Sequence, residues 1–332
     1  MLKFIYYIDV MRSKSKFVTE TSHAIHEAFY MLRHYGWKRT SKVLHHPMLV
    51  FMVTNTKGFY VGGMVDRFKG IISTYAWCKQ RNVEFRIRHI FPFELADYLD
   101  PAKYDWCLKE GEFTTCIWNA TLMRARGEFG RRLVRKNLKR KQIHYYGNRD
   151  FLQYINETGG TNYTWGELFQ ELFRPGKELA VAIERKKSEI GKSYISAIFR
   201  FQNLLDDFRE YKFQALGTDD QREQLIKKCL KGLADLQNRY PEVPLLVTAD
   251  SSTFIERVSS LPGIHVVGGK RVHMGCNEGA AYNTYLNSFT DFYMLAGGQR
   301  IFSLGTKEMY PTQFPMYAAK VNDIPFERVL LE

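Results

Sequence analysis

The chain has 332 residues, of which 45% are hydrophobic and 15% aromatic, and carries a formal net charge of +13. That length suits two domains of about 150 residues each, and the composition excludes a disordered or low-complexity chain. The apolar start, Met1–Val10, is interrupted by Asp9, and no other apolar run approaches the roughly 18 residues of a spanning helix. A cytoplasmic protein is expected, free or peripheral on the inner face of a membrane. The five cysteines (Cys78, Cys107, Cys116, Cys229, Cys276) form no Cys-x-x-Cys, and the nine histidines form no His-Glu-x-x-His. Reduced thiols and no metal site are expected.

The charge is unevenly spread. From Ser188 to the end, 16 Lys/Arg meet 17 Asp/Glu, so residues 1–187 hold 32 against 18. Between 124 and 149 ten basic residues face only Glu128. Such a patch points to an anionic partner: nucleic acid, an acidic membrane surface or a phosphate-bearing substrate. It also fits a merely solvated basic helix.

In chain order, residues 17–36 form an amphipathic pattern, with Ile25, Ala28, Phe29 and Leu32 at helical spacing. Met48–Val53 is a continuous apolar run suited to a buried strand. A glycine turn follows at Gly62 and Gly63, then a helix burying Phe68, Ile71, Ile72, Tyr75 and Ala76, then the alternating strand Val83–Arg88. Residues 100–175 give little pattern. The stretch 175–193, from Pro175-Gly176 to Gly191, is taken as a connector between domains. Beyond it the pattern is regular. Strands at 194–199, 244–248, 264–267 and 300–304 alternate with helices at 219–238, from Ser251 or Ser252, at 280–296 and at 313–321. This is an α/β chain with a basic N-terminal domain over 1–185. A Rossmann-like nucleotide-binding domain over 190–325 has a parallel sheet covered on both faces.

In such sheets ligands sit at the carboxyl ends of the strands. Arg200 directly follows one strand, where a guanidinium grips a diphosphate bidentately and never loses its charge. Asp250 ends the next strand and is placed to accept hydrogen bonds from a base or ribose. Ser251 or Ser252 caps the helix behind it, which is also the whole of an ordinary structural explanation. Thr312, Gln313 and Phe314 open the last helix, where backbone N–H groups meet phosphate oxygens. Gly62 and Gly63 match no phosphate-loop pattern but allow close approach to the backbone. Asp66, at the start of the next helix, is either a cap or a group that orients or deprotonates an acceptor hydroxyl. No Asp-x-Asp occurs, which favours neutralising a leaving phosphate by arginine and helix dipoles.

Several of these segments together resemble the fucosyltransferase superfamily, which includes α-1,2-, α-1,6- and protein O-fucosyltransferases. Gly62-Gly63-Met64-Val65-Asp66-Arg67-Phe68-Lys69-Gly70 resembles its opening Gly-Gly-x-Gly-Asn-Gln loop. Phe199-Arg200-Phe201 resembles the end of its His-x-Arg motif, whose arginine binds the β-phosphate of GDP-fucose. Thr248-Ala249-Asp250 is similar to its Ser/Thr-x-Asp strand end, and residues 289–295, 301–304 and 312–319 resemble its last block. Ile198 stands where the motif histidine falls, Val65 and Asp66 replace Gly-Asn, and Pro315 replaces a serine.

The resemblance implies a GT-B fold, with two Rossmann-like domains facing a cleft, and inverting, metal-independent transfer without a cofactor. The donor would be GDP-fucose or a related GDP-sugar, bound by Arg200, Asp250, Ser251, Thr312, Gln313 and Phe314. A glycan acceptor would meet Gly62, Gly63, Asp66 and Arg67. With the basic N-terminal half against an anionic membrane, that acceptor would be a lipid-linked precursor of a surface polysaccharide. Two alternatives stand. A nucleic-acid-binding protein explains the 124–149 patch but leaves the C-terminal half idle. A glycosyltransferase-like module without catalysis accounts for Ile198.

Overall fold

A computed structural model describes residues 16–37, 47–55, 62–125, 142–208, 215–274 and 280–332. The apolar start and basic residues 126–141 lie outside these, so Arg124 and Arg149 alone represent the expected patch. The chain divides into two compact units. One holds the described residues up to Phe93 together with Tyr104–Thr164, and the other holds Glu94–Lys103 with Trp165–Glu332.

The N-terminal unit begins with α1 (Lys16–His34), β1 (Met48–Val53), α2 (Met64–Gln80) and β2 (Glu84–His89). The strand, glycine turn, helix and strand expected there are all present. The segment from 94 to 103, with β3 (Leu99–Pro101), then leaves for the other unit. The chain returns for β4 (Ala120–Ala125), β5 (Gln142–Gly147) and α3 (Leu152–Gly159). The sheet order is β2-β1-β5-β4, parallel throughout. All six residues of β1 are buried, which is why it reads as an unbroken apolar run rather than an alternating one. A Cβ on Gly70 would lie 1.8 Å from the carbonyl oxygen of Gly147, so α2 crosses the end of β5 at a separation only glycine permits.

The C-terminal unit adds α4 (Trp165–Leu172), β6 (Phe173–Pro175), α5 (Lys177–Ile190), β7 (Ile195–Phe199), α6 (Asp219–Arg239) and β8 (Leu245–Ala249). It continues with α7 (Ser252–Ser259), β9 (Ile264–Val266), α8 (Tyr282–Ala296), β10 (Ile301–Gly305), α9 (Phe314–Asn322) and β11 (Phe326–Leu330). The order β11-β10-β7-β8-β9 is again fully parallel. One face packs Ile195, Ala197 and Phe199 against Leu225, Cys229, Leu233 and Leu236 of α6 and Phe254 and Val258 of α7. Thr218 starts α6 with a reciprocal box: its hydroxyl accepts from Gln221 N–H while the Gln221 side chain accepts from the Thr218 N–H. Such a cap is worth about 1 kcal/mol.

One expectation changes. The stretch 175–193 is not a connector: α5 buries Leu179, Ile183 and Ile190 and packs on α8, and the division of the chain falls before Trp165. The final strand β11, for which the sequence pattern gave no element, is an edge, half-buried at Phe326, Glu327 and Val329 and exposed at Arg328 and Leu330.

Candidate functional site

In the C-terminal sheet the chain runs outward through β7, β8 and β9, then returns to place β10 and β11 on the other side of β7. The order therefore reverses between β7 and β10, the kind of point beside which open parallel sheets bind ligands. Arg200 emerges at this point. Its Nη1 lies 2.9 Å from Asp250 Oδ2, and its guanidinium rests 4.6 Å above the Phe208 ring. Asp250 itself is buried. It accepts the backbone N–H of Phe201 at 2.8 Å and of Gln202 at 2.7 Å, tying the turn after β7 to the end of β8. Burial pushes its carboxyl up, against the opposing pull of Arg200 and the two amides.

This arrangement alters the expected roles. Asp250 spends its oxygens inside the protein, so it acts as the group that aims Arg200. Ser251 is fully buried and caps α7 by accepting from Phe254 N–H, the ordinary reading of that residue. Its hydroxyl also donates to Asp207 Oδ2 at 2.8 Å, and the same oxygen accepts Thr253 N–H at 2.8 Å. A carboxylate thus already occupies the amino end of α7, where an anion would otherwise bind. Asp207 was not foreseen. The only available signal was the doubled Asp206-Asp207 shortly after a strand.

After β10, Thr312 Oγ1 accepts Phe314 N–H at 3.2 Å at the start of α9, and Gln313 is the exposed cap residue. Arg328 of β11 donates to the Thr312 carbonyl at 2.8 Å, fixing the turn, and the Phe314 ring meets Phe292 edge-on. A second unforeseen group, Arg271, is buried and forms a two-pronged pair with Asp291. Nε donates to Oδ2 at 2.8 Å and Nη2 to Oδ1 at 3.0 Å, with further bonds to the Gly269 and Val267 carbonyls. It clamps the loop after β9 onto α8.

Elsewhere in this unit a depression of about 580 Å³ is lined by Ala96, Asp97, Asp100, Gly176, Lys177, Glu178 and Tyr282. Three carboxylates against one lysine make it a poor seat for a diphosphate.

The N-terminal sheet has a reversal of its own, in a different strand order. Its order reverses between β1 and β5, and α2 starts beside that point. Gly62, at φ +107°, makes a turn that L side chains rarely adopt, and Gly63 is the helix cap. Asp66 lies in the first turn of α2, 40% exposed and 2.6 Å from Lys69 Nζ. Thr54 Oγ1 and Asn148 Oδ1, just past β1 and β5, are buried with no hydrogen-bond partner among the described residues. Arg67 does not join this rim. It is buried, donating to His89 Nε2 at 3.1 Å and to the Phe91 carbonyl at 2.9 Å, since helical spacing turns it inward one residue after Asp66. Among the described residues, no three His, Cys, Asp or Glu side chains group so as to hold a metal ion.

No protein-family model and no curated protein matches the sequence. In three dimensions the chain is similar to fucosyltransferase NodZ from Bradyrhizobium, with 13% identity and a TM-score of 0.50. The match covers 82% of this chain and 92% of that one. NodZ alpha-1,6-fucosyltransferase co-crystallised with GDP aligns over 82% and 91% of the two chains, at 13% identity and a TM-score of 0.49. POFUT1 in complex with GDP aligns over 85% and 98%, at 10% and 0.41. The first of these likenesses defines the fold: an α/β chain with parallel sheets, of the GT-B class.

Proposed function

We propose that the protein is a glycosyltransferase that takes fucose, or a closely related sugar, from a GDP-linked donor and transfers it with inversion to a glycan. The observation that carries this reading is Arg200 at the reversal point between β7 and β10, aimed by Asp250 and backed by Phe208. As the bond from the anomeric carbon to the diphosphate breaks, negative charge grows on the departing oxygen. A pre-aimed guanidinium stabilises that charge more in the transition state than in the ground state. The turn at Thr312, Gln313 and Phe314 holds the phosphates from the other side. Asp66 orients the acceptor hydroxyl or takes its proton. The absence of Asp-x-Asp supports neutralisation by arginine and helix dipoles, without a metal. The excess of 32 basic over 18 acidic residues in 1–187 supports an anionic membrane as the place where a lipid-linked polysaccharide precursor is met. The fold shared with NodZ supports the reading of the donor as a sugar nucleotide.

The test is thermal stabilisation by GDP, UDP, CMP and ADP. A bound nucleotide at one hundred times its dissociation constant adds about 2.7 kcal/mol. GDP alone is expected to shift the wild type. Removing the Arg200 side chain would strand the buried Asp250 charge, so the informative variant is Arg200→Lys, which keeps the charge but loses the two-pronged grip. The variant should fold normally and lose most of the GDP shift. A shift with UDP and none with GDP overturns the proposal.

A further inference from the structure

The outward face of α1 takes no part in either rim. A helix lying on a protein normally turns its apolar stripe to the core and its polar side to water. Helix α1 is reversed. Ile25, Phe29 and Leu32 are 50%, 50% and 56% exposed, and Ala28 beside them is exposed as well. The side that meets β4 carries Glu27, which is buried and accepts the backbone N–H of Arg124 at 2.8 Å, flanked by half-buried Tyr30 and Met31. The inward carboxylate fixes the roll of the helix: turning it over would strand that amide and expose Glu27.

Just beyond the helix, Trp37 and Trp118 are 58% and 52% exposed, and the Trp118 indole N–H donates to the Trp37 carbonyl at 2.9 Å. Paired surface tryptophans beside an apolar stripe have the character of side chains that settle at lipid headgroup level. The sequence on either side of the helix is mostly basic. Residues 1–47 hold eight Lys/Arg against three Asp/Glu, and one of the three is the inward Glu27.

We propose that Ile25, Phe29 and Leu32, with Trp37 and Trp118, form a face that inserts shallowly into an anionic bilayer, with the net positive charge of the N-terminal sequence drawing it there. This rests on the reading of the basic half as membrane-facing and names the surface that touches lipid. A second copy of the same face is the poorer partner, because two such basic segments repel.

The full chain is mixed with phosphatidylcholine vesicles, and with phosphatidylcholine–phosphatidylglycerol vesicles, and the bound fraction is read by sedimentation. Binding to the mixed vesicles alone is expected, with a blue shift of tryptophan emission that Trp37→Phe diminishes. The double variant Phe29→Ser/Leu32→Ser should keep its melting temperature and bind at least about tenfold more weakly. Equal binding by the double variant overturns the proposed face while leaving the basic half as the membrane contact. No binding by the wild type overturns both. A lowered melting temperature in the double variant shows that the chain itself covers the face. A wild-type dimer that the substitutions dissociate shows that a second copy does. Either result overturns the proposal. GDP-induced stabilisation of the same preparations reports on the donor reading separately.

Discussion

Both sheets are fully parallel, with strands added on either side of their first strand, and they finish their rims in different ways. In the C-terminal unit, buried charges are cross-braced: Arg200 with Asp250, Arg271 with Asp291, and Asp207 on the first turn of α7. In the N-terminal unit the rim leaves Thr54 Oγ1 and Asn148 Oδ1 without partners among the described residues, and its buried titratable groups include two imidazoles. His89 is neutral because burial and Arg67 hold its pKa down to about 3. His144 is lowered likewise by burial and Arg88. Hydrogen bonds set their tautomers. His89 Nδ1–H donates to the Phe93 carbonyl, and His144 Nε2–H donates to Gln142 Oε1. Charge pairs therefore brace the first rim, whereas the second sets unpartnered oxygens beside a single ion pair, Asp66–Lys69, in a unit whose buried imidazoles stay neutral. A rim of charge pairs holds a cation in fixed position for an anionic ligand.

The contrast is open to three tests. The largest effect is expected from Asp291→Asn, which leaves Arg271 buried and uncompensated. A loss of about 3–5 kcal/mol follows, seen as a fall of roughly 10 °C in melting temperature. A fall of a degree or two would show that the pair is not a brace. Acid should find the other unit. The unfolded chain binds protons near pH 6.5 that the native His89 and His144 refuse until about pH 3, so stability declines as pH falls through that window. At pH 5 the expected loss is about 2 kcal/mol for each histidine. Trp77 and Trp106 report on the N-terminal unit and Trp165 on the C-terminal one, so emission changes between pH 7 and 5 should come from the former. A profile flat over that range, or carried by Trp165, contradicts the assignment. The smallest effect is expected from Gly70→Ala, whose methyl would press on the Gly147 carbonyl beside the β1/β5 reversal. It should cost about 1–3 kcal/mol in urea denaturation. A neutral result would mean that α2 can lift off β5.

Much of the C-terminal unit was legible because its strands are buried on both faces and its helices carry local start signals. Ser251 caps where expected, Thr218 adds a cap the pattern did not name, and the element ends fall within two residues. Arg200 was legible for the same reason, since a charged residue ending an apolar run has to be at a strand mouth. What could not be read depends on partners distant in sequence. Asp250 looks identical whether it faces a ligand or the amides of Phe201 and Gln202. Arg271 gives no sign that Asp291 waits twenty residues on. The stripe on α1 was visible, but hydrophobic spacing cannot tell an outward face from an inward one. That depended on Glu27 meeting Arg124. Nor does anything local announce that Glu94–Lys103 belongs with residues beyond 165.

That last excursion means the two units cannot be separated by a single cut. A fragment starting at Trp165, or at the 190 suggested by the sequence pattern, would lack β3, the antiparallel partner of β6. It would also lack Tyr98, whose ring stacks on Tyr282 at 4.7 Å and on Phe289 at 4.8 Å and whose hydroxyl donates to the Tyr282 carbonyl. During synthesis this strand is made some seventy residues ahead of its partner. The C-terminal unit therefore receives its first piece early and must wait, through the whole translation of β4, β5 and α3, for the rest of itself to arrive.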